Sequence, residues 1–566
     1  MQRYSGALRF FLYFWARKSN AIQLGININR YRKALYFLAL ALLAPALLIN
    51  LGLLTLIDDE ALRAWVALEM QLSDNYIAPM LHGDFYYKKP PVYNWMLLGV
   101  FSLTGEMDEW SIRIPTVAFL LVYISTIYYF ARQHFSRDLA ALSALAFLTC
   151  GRILFYDSFL GLIDISYSWL TFLSFMLFFH LSEKGRWAQA FGWSYALAAV
   201  GFLMKGLPAV VFQGATVLGW LAYRREWYRL FRWPHLLGGL IFLAITGAYY
   251  AAYVQYNSLD ALAQVLLNES AKRTAGRYPF WFTVLHLLTY PFELLVYHFM
   301  PWGLLAVFLL KRGAWAKIWQ HRFTAFAMLV FLLNIIVYWT APKVHPRYVF
   351  MLIPLLFMVL LYLYNEYTEE ATWQKQVIDM VLLGCCLVLP LAALAPLFLS
   401  RLSGTPWLWP KTLLIFALLS GLAYGAWRFR EARLLTVAVA LLAVRLAFNW
   451  FVLPDRDAND FGNDARLDAI RVARAYEGKD LRMFAQSEWQ PMTSFQMTLE
   501  RGAVIPVDYG PIDTSAYYVI DPQAYPSLEY ETDGTLQMRH GKKVYRIVRF
   551  KAPIPKTAIP EPVEYD

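Results

Sequence analysis

The sequence predicts a polytopic α-helical membrane protein with about thirteen transmembrane helices and a small α/β domain at its C-terminus. Hydrophobic residues make up 59% of the 566 residues and charged residues only 16%, whereas soluble proteins carry about a quarter charged residues. Apolar runs of roughly 20 residues recur along most of the chain, and each is long enough to cross about 30 Å of hydrocarbon. Because the runs are continuous and do not alternate with polar residues, they indicate helices and exclude a β-barrel.

The first nineteen residues, MQRYSGALRFFLYFWARKS, resemble neither a span nor a cleavable signal, because their apolar stretch is short and contains Arg9. They predict a basic, aromatic-rich helix that lies in the membrane interface. The apolar runs then predict spans at 34–57, 111–131, 139–157, 161–182, 188–204, 206–222, 234–256, 293–310, 323–341, 347–364, 377–399, 411–427 and 434–453.

Basic residues are concentrated in every second loop of this layout. These loops are RYRK (30–33), RQHFSR (132–137), EKGR (183–186), YRREWYRLFR (223–232), KRGAWAKIWQHR (311–322) and WRFREAR (427–433). By the positive-inside rule they face the cytoplasm together with the N-terminus, so the loops between them face outward. This predicts a multi-pass protein of the inner or plasma membrane. The net charge of +11 is largely this topological signal and does not indicate a nucleic-acid partner.

Three domains follow from the layout. Residues 1–33 are the predicted cytoplasmic interfacial segment, 34–454 the transmembrane domain with its long first outer loop at 58–110, and 455–566 an extracytoplasmic domain. The last of these mixes charges with short apolar runs and a hairpin-like LQMRHGKKVYRIVRF, which predicts α/β structure. The three cysteines lie in apolar segments and are read as core residues.

Charged and aromatic side chains gather on the outward side of this layout. They are Asp58, Asp59, Glu60, Tyr86, Tyr87, Lys88, Lys89, Asp157, Asp164, Lys205, Glu269, Lys272, Arg273, Lys343, His345 and Arg347. An unpaired charge costs about 2.5–3.5 kcal/mol at the centre of a membrane helix. A cluster of this kind therefore indicates mutual pairing or an ionic ligand.

Carboxylates and cations around one cavity suit a reaction that needs a base and a pocket for an anionic leaving group such as phosphate. Pro90-Pro91 holds the backbone at Lys89 extended, which restricts where the ammonium points. Lysine acts as a point charge on phosphate, and Arg273 and Arg347 can add forked contacts. The sequence has no P-loop, so lipid-linked phosphate is the predicted phosphate ester.

Several of these motifs resemble one family. The stretch DEALRAWVALEM (59–70), Pro79, Gly83, YYKKPP (86–91) and Trp95 resemble the first outer loop of the C-type membrane glycosyltransferases. These form the protein O-mannosyltransferase superfamily, and the lipid A aminoarabinose transferases are the most similar members. Further matches are GLIDISYSW around Asp164, MKGLP around Lys205, Glu269 with Arg273, Pro301-Trp302, and Lys343 with Tyr348 and Pro354.

The resemblance implies an inverting transferase. It would move a sugar from a polyprenyl-phosphate donor to lipid A, a surface glycan or a protein on the outer side of the membrane. Asp59 is then the expected base and Asp164 the second carboxylate, with Glu60 as a third catalytic candidate and Asp58 as a competitor of Asp59. The expected ligands of the lipid phosphate and sugar are Tyr86, Lys89, Lys205, Arg273, Lys343, Arg347 and Tyr348.

The resemblance also implies a divalent metal site, but this sequence departs from the pattern. Lys88 stands where the aminoarabinose transferases have a glutamate ligand, and Ser270 where they have a histidine. An ammonium group cannot bind a metal ion. We therefore predict that this site is lacking and that no other cofactor is bound. His82, His286 and His345 could form a metal site elsewhere on the outward side, but an ordinary hydrogen-bonding role is expected for each of them.

Two other classes of function remain open at this point. A transporter or flippase of lipid-linked substrates would also have many spans, but its ionisable groups usually lie near the membrane midplane within a repeated layout. A purely structural or receptor-type protein would not need paired carboxylates facing lysines on a stiff loop. The one-sided charge cluster therefore favours the transferase.

Overall fold

A computed structural model of the chain describes residues 27–261, 264, 279–341, 344–367, 370, 372–485, 487, 490–539 and 543–560, apart from the side chain of Asp58. Its α-helices are α1 (Ile28–Leu48), α2 (Asp58–Leu72), α3 (Val92–Thr104), α4 (Glu109–Ala131), α5 (Arg137–Leu148), α6 (Gly151–Phe155), α7 (Ile163–Glu183), α8 (Trp187–Lys205), α9 (Pro208–Arg224), α10 (Trp233–Tyr253), α11 (Phe280–Phe292), α12 (Ala314–Gln320), α13 (Arg322–Trp339), α14 (Ile353–Glu366), α15 (Trp373–Ala393), α16 (Leu408–Arg428), α17 (Arg433–Ala447), α18 (Leu453–Ala458), α19 (Phe461–Ala475) and α20 (Pro491–Arg501). The predicted interfacial helix at the N-terminus lies outside the described residues.

The chain is a polytopic helical membrane protein, as predicted. Within the described residues, nine helices are long and apolar enough to cross a membrane, or ten if Arg137–Leu148 and Gly151–Phe159, which are bent by 48°, form one span. This count is smaller than the predicted thirteen. Three predicted spans correspond to α8, α9 and α14, which have 19, 17 and 14 residues and do not meet the same test of length and apolarity.

Two predicted spans differ in position. The first helix covers Ile28–Leu48 and not 34–57, because the chain turns after Leu48 and Asn50 adopts a left-handed conformation with φ 60°. The predicted span 293–310 is replaced by an apolar helical stretch at Phe280–His298 and a separate 3₁₀ helix at Trp302–Leu310. Pro301 lies between them and has no N–H with which to continue a helix.

The predicted first outer loop contains two helices, α2 and α3, joined by a short hairpin of β1 (Met80–Leu81) and β2 (Asp84–Phe85). The amphipathic helix α2 begins where the Glu60 carboxylate accepts the backbone N–H of Ile57 at 2.9 Å, which satisfies a donor that helix starts leave unpaired. The hairpin turns at His82 and Gly83, whose φ values are 54° and 80°.

The C-terminal residues form a five-stranded mixed sheet. Its strands are β3 (Leu481–Phe484), β4 (Val507–Asp508), β5 (Tyr517–Ile520), β6 (Tyr530–Gln537) and β7 (Val544–Phe550), in the order β4-β3-β5-β7-β6. Strand β3 pairs in parallel with β4 and β5, whereas β7 pairs antiparallel with β5 and β6. Helices α19 and α20 bury Val472 and Met497 in one core with Val519 and Ile547 of the sheet.

This sheet domain packs on the first loop. The guanidinium of Arg539 donates to the carbonyl of Leu56 at 2.6 Å and to the carboxylate of Asp460 at 3.1 Å. The hydroxyl of Thr55 donates to the same carboxylate at 2.6 Å. Helix α20 of the domain also packs against α2. The residues just before Asp59 are therefore held by the C-terminal domain.

Candidate functional site

Two predicted carboxylates meet at one arginine. Nη2 of Arg347 lies 3.0 Å from Oδ2 of Asp59, and its Nε lies 3.4 Å from Oδ2 of Asp164. The side chain of Asp59 is 52% exposed, whereas those of Arg347 and Asp164 are 11% and 4% exposed. Arg347 thus joins a buried carboxylate to one that is open to solvent.

Lys205 completes this cluster from the other side. Its Nζ lies 2.5 Å from Oδ1 of Asp164 and 4.5 Å from the centre of the Tyr348 ring. It also lies 5.0 Å from the centre of the Tyr167 ring. A cation over an aromatic face is stabilised by the ring quadrupole. Asp164 is therefore shared between two cations, and Lys205 is held between two tyrosines.

The local backbone explains why these side chains converge. Asp164 lies in the first turn of α7 and Lys205 is the last residue of α8, so each charge is of the sign that its helix end stabilises. Gly206 ends α8 with φ 84°, a conformation that costs glycine little. Arg347 lies in a short 3₁₀ helix, Pro346–Val349, whose first proline restricts its backbone.

The charges of the cluster shift the pKa of its neighbours. Burial alone would lower the pKa of Arg347, but the carboxylates of Asp164 and Asp59 outweigh it and raise that pKa above its usual value. Burial, followed by the charge of Arg347, lowers the pKa of His345. At neutral pH the site therefore contains a charged guanidinium beside an uncharged imidazole.

Glu60 has different partners, although it follows Asp59 directly. Its carboxylate is fully buried and receives two bonds from Arg113, at 2.8 and 3.1 Å. It also accepts the backbone N–H groups of Ile57 and Gly161, at 2.9 and 2.8 Å. This network joins α2 to α4 and leaves Glu60 bound on both oxygens, which is the geometry of a structural ion pair. A catalytic role of Glu60 stays a prediction.

Lys89 lines a small cavity of about 20 Å³. The other cavity walls are mainly aromatic, and the cavity reaches Gly206, the residue after Lys205. Its lining residues are Pro79, Tyr86, Tyr87, Lys89, Pro90, Phe202, Gly206, Tyr249, Tyr250 and Tyr253. Lys88 beside it is exposed. The two adjacent lysines therefore have separate surroundings, and only Lys89 lines this cavity.

Tyr86 is also bound from within the first loop. Its hydroxyl accepts a bond from Nη2 of Arg63 at 2.5 Å, and the guanidinium lies 5.2 Å from the centre of its ring. Arg63 is itself buried. The pair fixes the start of the YYKKPP stretch against α2, which begins at the site carboxylates.

The hairpin before Tyr86 is held by a buried carboxylate. Glu69 accepts the backbone N–H groups of His82 and Gly83 at 2.8 and 3.1 Å. Nδ1 of His82 lies 2.5 Å from the carbonyl of Ile505 in the C-terminal domain. Burial raises the pKa of Glu69 to about 7 and lowers that of His82 to about 3.

Some predicted site residues cannot be compared with this geometry. Glu269, Ser270, Lys272, Arg273 and Lys343 lie outside the described residues. Among the residues that the structure does describe, no group of three or more His, Cys, Asp or Glu side chains could hold a metal ion. Lys88 occupies the position of the family's glutamate ligand, and its ammonium group has no lone pair for a metal ion. The residues present therefore do not fit the family's metal site.

The sequence reasoning missed three arginines near the site. Arg113 binds Glu60, Arg63 binds Tyr86, and Arg152 binds the buried Asp157 at 2.6 Å. Arg113 did carry a signal, because a charge just inside an apolar run is costly and usually has a partner. Arg63 carried none, since an arginine on an amphipathic helix is ordinarily a surface residue.

Comparisons with known proteins agree with this architecture. The family described as dolichyl-phosphate-mannose-protein mannosyltransferase matches residues 88–250. The undecaprenyl phosphate-alpha-4-amino-4-deoxy-L-arabinose arabinosyl transferase 1 of Pseudomonas fluorescens is 24% identical over 258 residues, 44% of this chain and 43% of its own. The corresponding transferase of Pseudomonas savastanoi pv. phaseolicola is 27% identical over 270 residues, 45% of this chain and 48% of its own. The chain thus spans about half the length of the curated relatives it matches.

Solved structures extend the fold comparison to nearly the whole chain. The crystal structure of ArnT from Cupriavidus metallidurans bound to undecaprenyl phosphate has a TM-score of 0.66 and 16% identity. It covers 94% of this chain and 100% of its own. The structure of the same protein in the apo state has a TM-score of 0.64, with 92% and 97% of the two chains covered.

These matches define the class of protein first. The fold is that of the C-type membrane glycosyltransferases, and the predicted resemblance to the protein O-mannosyltransferase superfamily is confirmed. Within that class, the two curated relatives are named as aminoarabinose arabinosyl transferases. The fold of this chain matches that of ArnT from Cupriavidus metallidurans over the full length of ArnT.

Proposed function

We propose that the chain is an inverting glycosyltransferase that moves a sugar from a polyprenyl-phosphate donor to an acceptor on the outer side of the membrane. The observation that carries the proposal is the meeting of Asp59, Asp164 and Lys205 around Arg347, beside the cavity that Lys89 lines. Polar residues from distant segments thus bring carboxylates and cations together, and we call this cluster the chamber.

The reaction follows from these two kinds of group. The carboxylate of Asp59 takes the proton of the acceptor hydroxyl, and the acceptor oxygen attacks the anomeric carbon from the face opposite the phosphate. The bond between that carbon and the phosphate oxygen breaks, and its electron pair leaves with the lipid phosphate. The products are the new glycoside and polyprenyl phosphate, and Asp59 later releases its proton to water.

Asp59 suits the base because its carboxylate is half exposed and therefore accessible to an acceptor. Asp164 is almost fully buried and paired with two cations, which supports an orienting role. Arg347 contacts the carboxylates of both Asp59 and Asp164. Its position therefore supports a role in aligning these two carboxylates, whereas the resemblance implied that it binds the donor phosphate.

The residues that line the small cavity beside Lys89 have the chemistry to contact the donor. The tyrosines and Phe202 provide an apolar wall for a prenyl chain, and the Lys89 ammonium provides a positive charge for the phosphate. Positive charge at the leaving oxygen stabilises the transition state more than the ground state, because the negative charge there grows as the bond breaks. Gly206 lines this cavity, and the preceding residue, Lys205, lies over the ring of Tyr348. The Lys205 ammonium would therefore extend the positively charged surface beyond Lys89.

Two observations bear on the acceptor and on the competing class of function. The relatives are named for an undecaprenyl phosphate-linked aminoarabinose donor, and the resemblance to the lipid A aminoarabinose transferases favours lipid A as the acceptor. The match to the family described as dolichyl-phosphate-mannose-protein mannosyltransferase favours a protein. A lipid transporter is not favoured, because the ionisable cluster lies at helix ends and the relatives are transferases. The outward orientation and the inner-membrane location rest on the loop charges.

The test uses the full chain in nanodiscs with a radiolabelled undecaprenyl phosphate-linked aminoarabinose or mannose. Each donor is offered with lipid A and with an envelope glycan or protein fraction. We expect labelled glycoside and free undecaprenyl phosphate from one of these combinations. A reconstituted protein that moves label across vesicles without forming a glycoside would be a transporter, and the proposal would be wrong.

The variant Asp59→Asn separates the base from the fold. Loss of a general base should lower turnover by roughly 100-fold to 10,000-fold, with donor binding and the unfolding temperature nearly unchanged. Asp74→Asn is the matched control, because Asp74 is an exposed aspartate just after the same helix. Retained turnover in Asp59→Asn would remove Asp59 from the mechanism.

The adjacent lysines provide a second matched pair. Lys89→Ala should raise the KM for the donor, because Lys89 lines the cavity. Lys88→Ala should leave the KM for the donor close to that of the unchanged protein, because Lys88 is exposed. Equal effects of the two substitutions would contradict the placement of the donor phosphate at Lys89.

A further inference from the structure

A second cavity lies between two segments that the proposed reaction does not use. It is open to the surface and has a volume of about 560 Å³ between the turn that precedes α8 and the segment that precedes α10. Most of the residues that line it are aromatic or basic, namely Arg186, Trp187, Tyr228, Arg229, Arg232 and Trp233. We call it the arginine groove.

The groove carries an excess of positive charge. The segments 183–186 and 223–232 contain six basic and two acidic residues. The two acidic residues are already paired, because Glu226 binds Arg224 and Arg229, and Glu183 binds Arg224 and Arg322. Arg186 and Arg232 form no ion pair with any carboxylate in the part of the chain that the structure describes. Two exposed guanidinium groups therefore face the groove uncompensated.

The aromatic residues of the groove are of two kinds. Trp187 is buried and has the guanidinium of Arg229 at 3.9 Å from its ring centre, which fixes one wall. Tyr228 and Trp233 are exposed to 51% and 66%, as is Phe231 between them to 84%. Exposed aromatic rings at the end of a membrane bundle suit the headgroup level of a bilayer, so the rim of the groove has the chemistry of a lipid interface.

Helix α8 places the groove opposite the proposed active site. It starts at Trp187 in the groove and ends at Lys205 in the site after 19 residues, which corresponds to about 28 Å. This is close to the ~30 Å hydrocarbon thickness of a bilayer. The groove therefore lies at the other membrane boundary, which the loop charges assign to the cytoplasm.

We propose that the arginine groove binds the phosphodiester headgroup of an anionic phospholipid from the leaflet opposite the active site. Arg186 and Arg232 would contact the phosphate oxygens, since a guanidinium presents paired donors to that geometry. Tyr228 and Trp233 would lie at the glycerol level beside the acyl chains. Basic pockets at the cytoplasmic ends of membrane helices are suited to such headgroups.

The experiment measures lipid binding to the full chain by native mass spectrometry after release from nanodiscs. The nanodiscs contain phosphatidylcholine with a minor fraction of phosphatidylglycerol. We expect retained phosphatidylglycerol on the unchanged protein, and a loss of affinity of roughly fivefold for each arginine replaced. The variant Arg186→Gln with Arg232→Gln should therefore bind roughly twentyfold more weakly.

Arg312→Gln is the matched control. Arg312 is an exposed basic residue of another loop with the same predicted orientation, and it does not line the groove. It should retain the lipid as the unchanged protein does. Equal retention by the double variant, or an equal loss in Arg312→Gln, would show general charge attraction and overturn the site.

A second arm separates a lipid from a soluble anion. Inorganic phosphate at millimolar concentration should raise the unfolding temperature in pure phosphatidylcholine nanodiscs much less than phosphatidylglycerol does. The stronger stabilisation by phosphatidylglycerol should disappear in the variant that carries both Arg186→Gln and Arg232→Gln. Equal stabilisation by inorganic phosphate would assign the groove to a soluble anion and overturn the lipid proposal. Neither result depends on glycosyl transfer, so the groove and the proposed active site fail independently.

Discussion

Asp59 and Glu60 are consecutive residues, yet their carboxylates lie in two different ionic clusters. Glu60 is fully buried with Arg113, and each of its oxygens accepts two bonds. Asp59 is half exposed, and its Oδ2 contacts Arg347, which also contacts Asp164. Successive residues of a helix point about 100° apart, so the start of α2 sends one carboxylate into the bundle and the other to the chamber.

We infer that this difference separates a structural ion pair, at Glu60, from a chemical cluster, at Asp59. A carboxylate with every oxygen occupied and no exposure cannot receive a proton from a substrate without breaking the fold around it. A carboxylate that shares one arginine and remains open to solvent can. Burial and bonding partners therefore distinguish Asp59 from Glu60, although the two residues are adjacent in the sequence. Substitutions in the two clusters should accordingly have different effects.

The largest effect is expected from Arg113→Met, which leaves the buried Glu60 carboxylate without its cation. Removing one partner of a buried pair costs about 3–5 kcal/mol of folding free energy, measured as denaturant or thermal unfolding in detergent. Arg347→Met should cost clearly less, because Asp59 is half exposed and Asp164 retains Lys205. Equal losses of stability would erase the distinction between the two clusters.

Arg347→Lys tests the chemical cluster through catalysis. A lysine keeps the charge but cannot bridge Asp59 and Asp164 with two separate nitrogen donors. Hydrogen bonds to charged groups contribute about 1.5–3 kcal/mol, so kcat should fall about 10-fold to 100-fold. The KM for the donor should change little if Arg347 aligns the carboxylates. A rise in KM with unchanged kcat would instead place Arg347 on the donor phosphate.

The pH dependence of stability extends the comparison to Glu69 and His82, a third buried pair on the first loop. Glu69 has a pKa raised from 4.5 to about 7, so it stays protonated on folding and stability falls as the pH rises between these values. His82 has a pKa lowered from 6.5 to about 3, so stability falls as the pH drops between these values. The two slopes oppose each other between pH 4.5 and 6.5.

Glu69→Gln should remove the contribution of Glu69 to the pH dependence of stability and leave that of His82. In this variant the unfolding free energy should fall on acidification from pH 6.5 to 4.5 by at most about 1.4 kcal/mol per pH unit, whereas the unchanged protein should vary less. Unfolding temperatures across this range provide the measurement. Parallel curves for the two proteins would show that Glu69 is ionised in the folded state.

The smallest effect is expected from Thr55→Val at the junction with the C-terminal domain. The substitution keeps the shape of the buried side chain and removes its bond to Asp460, which retains Arg539. A single hydrogen bond contributes about 0.5–1.5 kcal/mol. Unfolding in denaturant should show a loss of this size with turnover nearly intact. A large loss of turnover would mean that the C-terminal domain positions Asp59.

Several features of the fold could be predicted from the sequence. Long apolar runs imply membrane helices wherever they occur, because unpaired backbone groups cannot remain in hydrocarbon. Helices α4, α7 and α13 accordingly fall close to their predicted positions. The helices α2 and α3 within the first loop were not predicted. The helix α2 is amphipathic and therefore partly polar, and α3 is apolar but has only 13 residues, which is too short for a span.

Motif positions likewise predicted which residues gather at the site. Asp59, Asp164, Lys205, Arg347 and Tyr348 are mutually connected in the structure. The motifs could not assign partners to these residues, since partners come from helices far apart in the chain. Arg63 is the plainest example, because its contact with Tyr86 depends on how the hairpin folds back over α2.

The sequence by itself therefore determined the class of protein, most of the helices and the residue types of the chamber, because hydrophobic length and charge placement act locally along the chain. Only the tertiary structure decided that Glu60 binds Arg113 while Asp59 contacts Arg347, that Lys89 and not Lys88 lines the aromatic cavity, and that Arg186 and Arg232 line one groove. Each of these depends on the direction of a side chain and on which distant helix packs beside it. Apolar periodicity and loop charge carry no information on either.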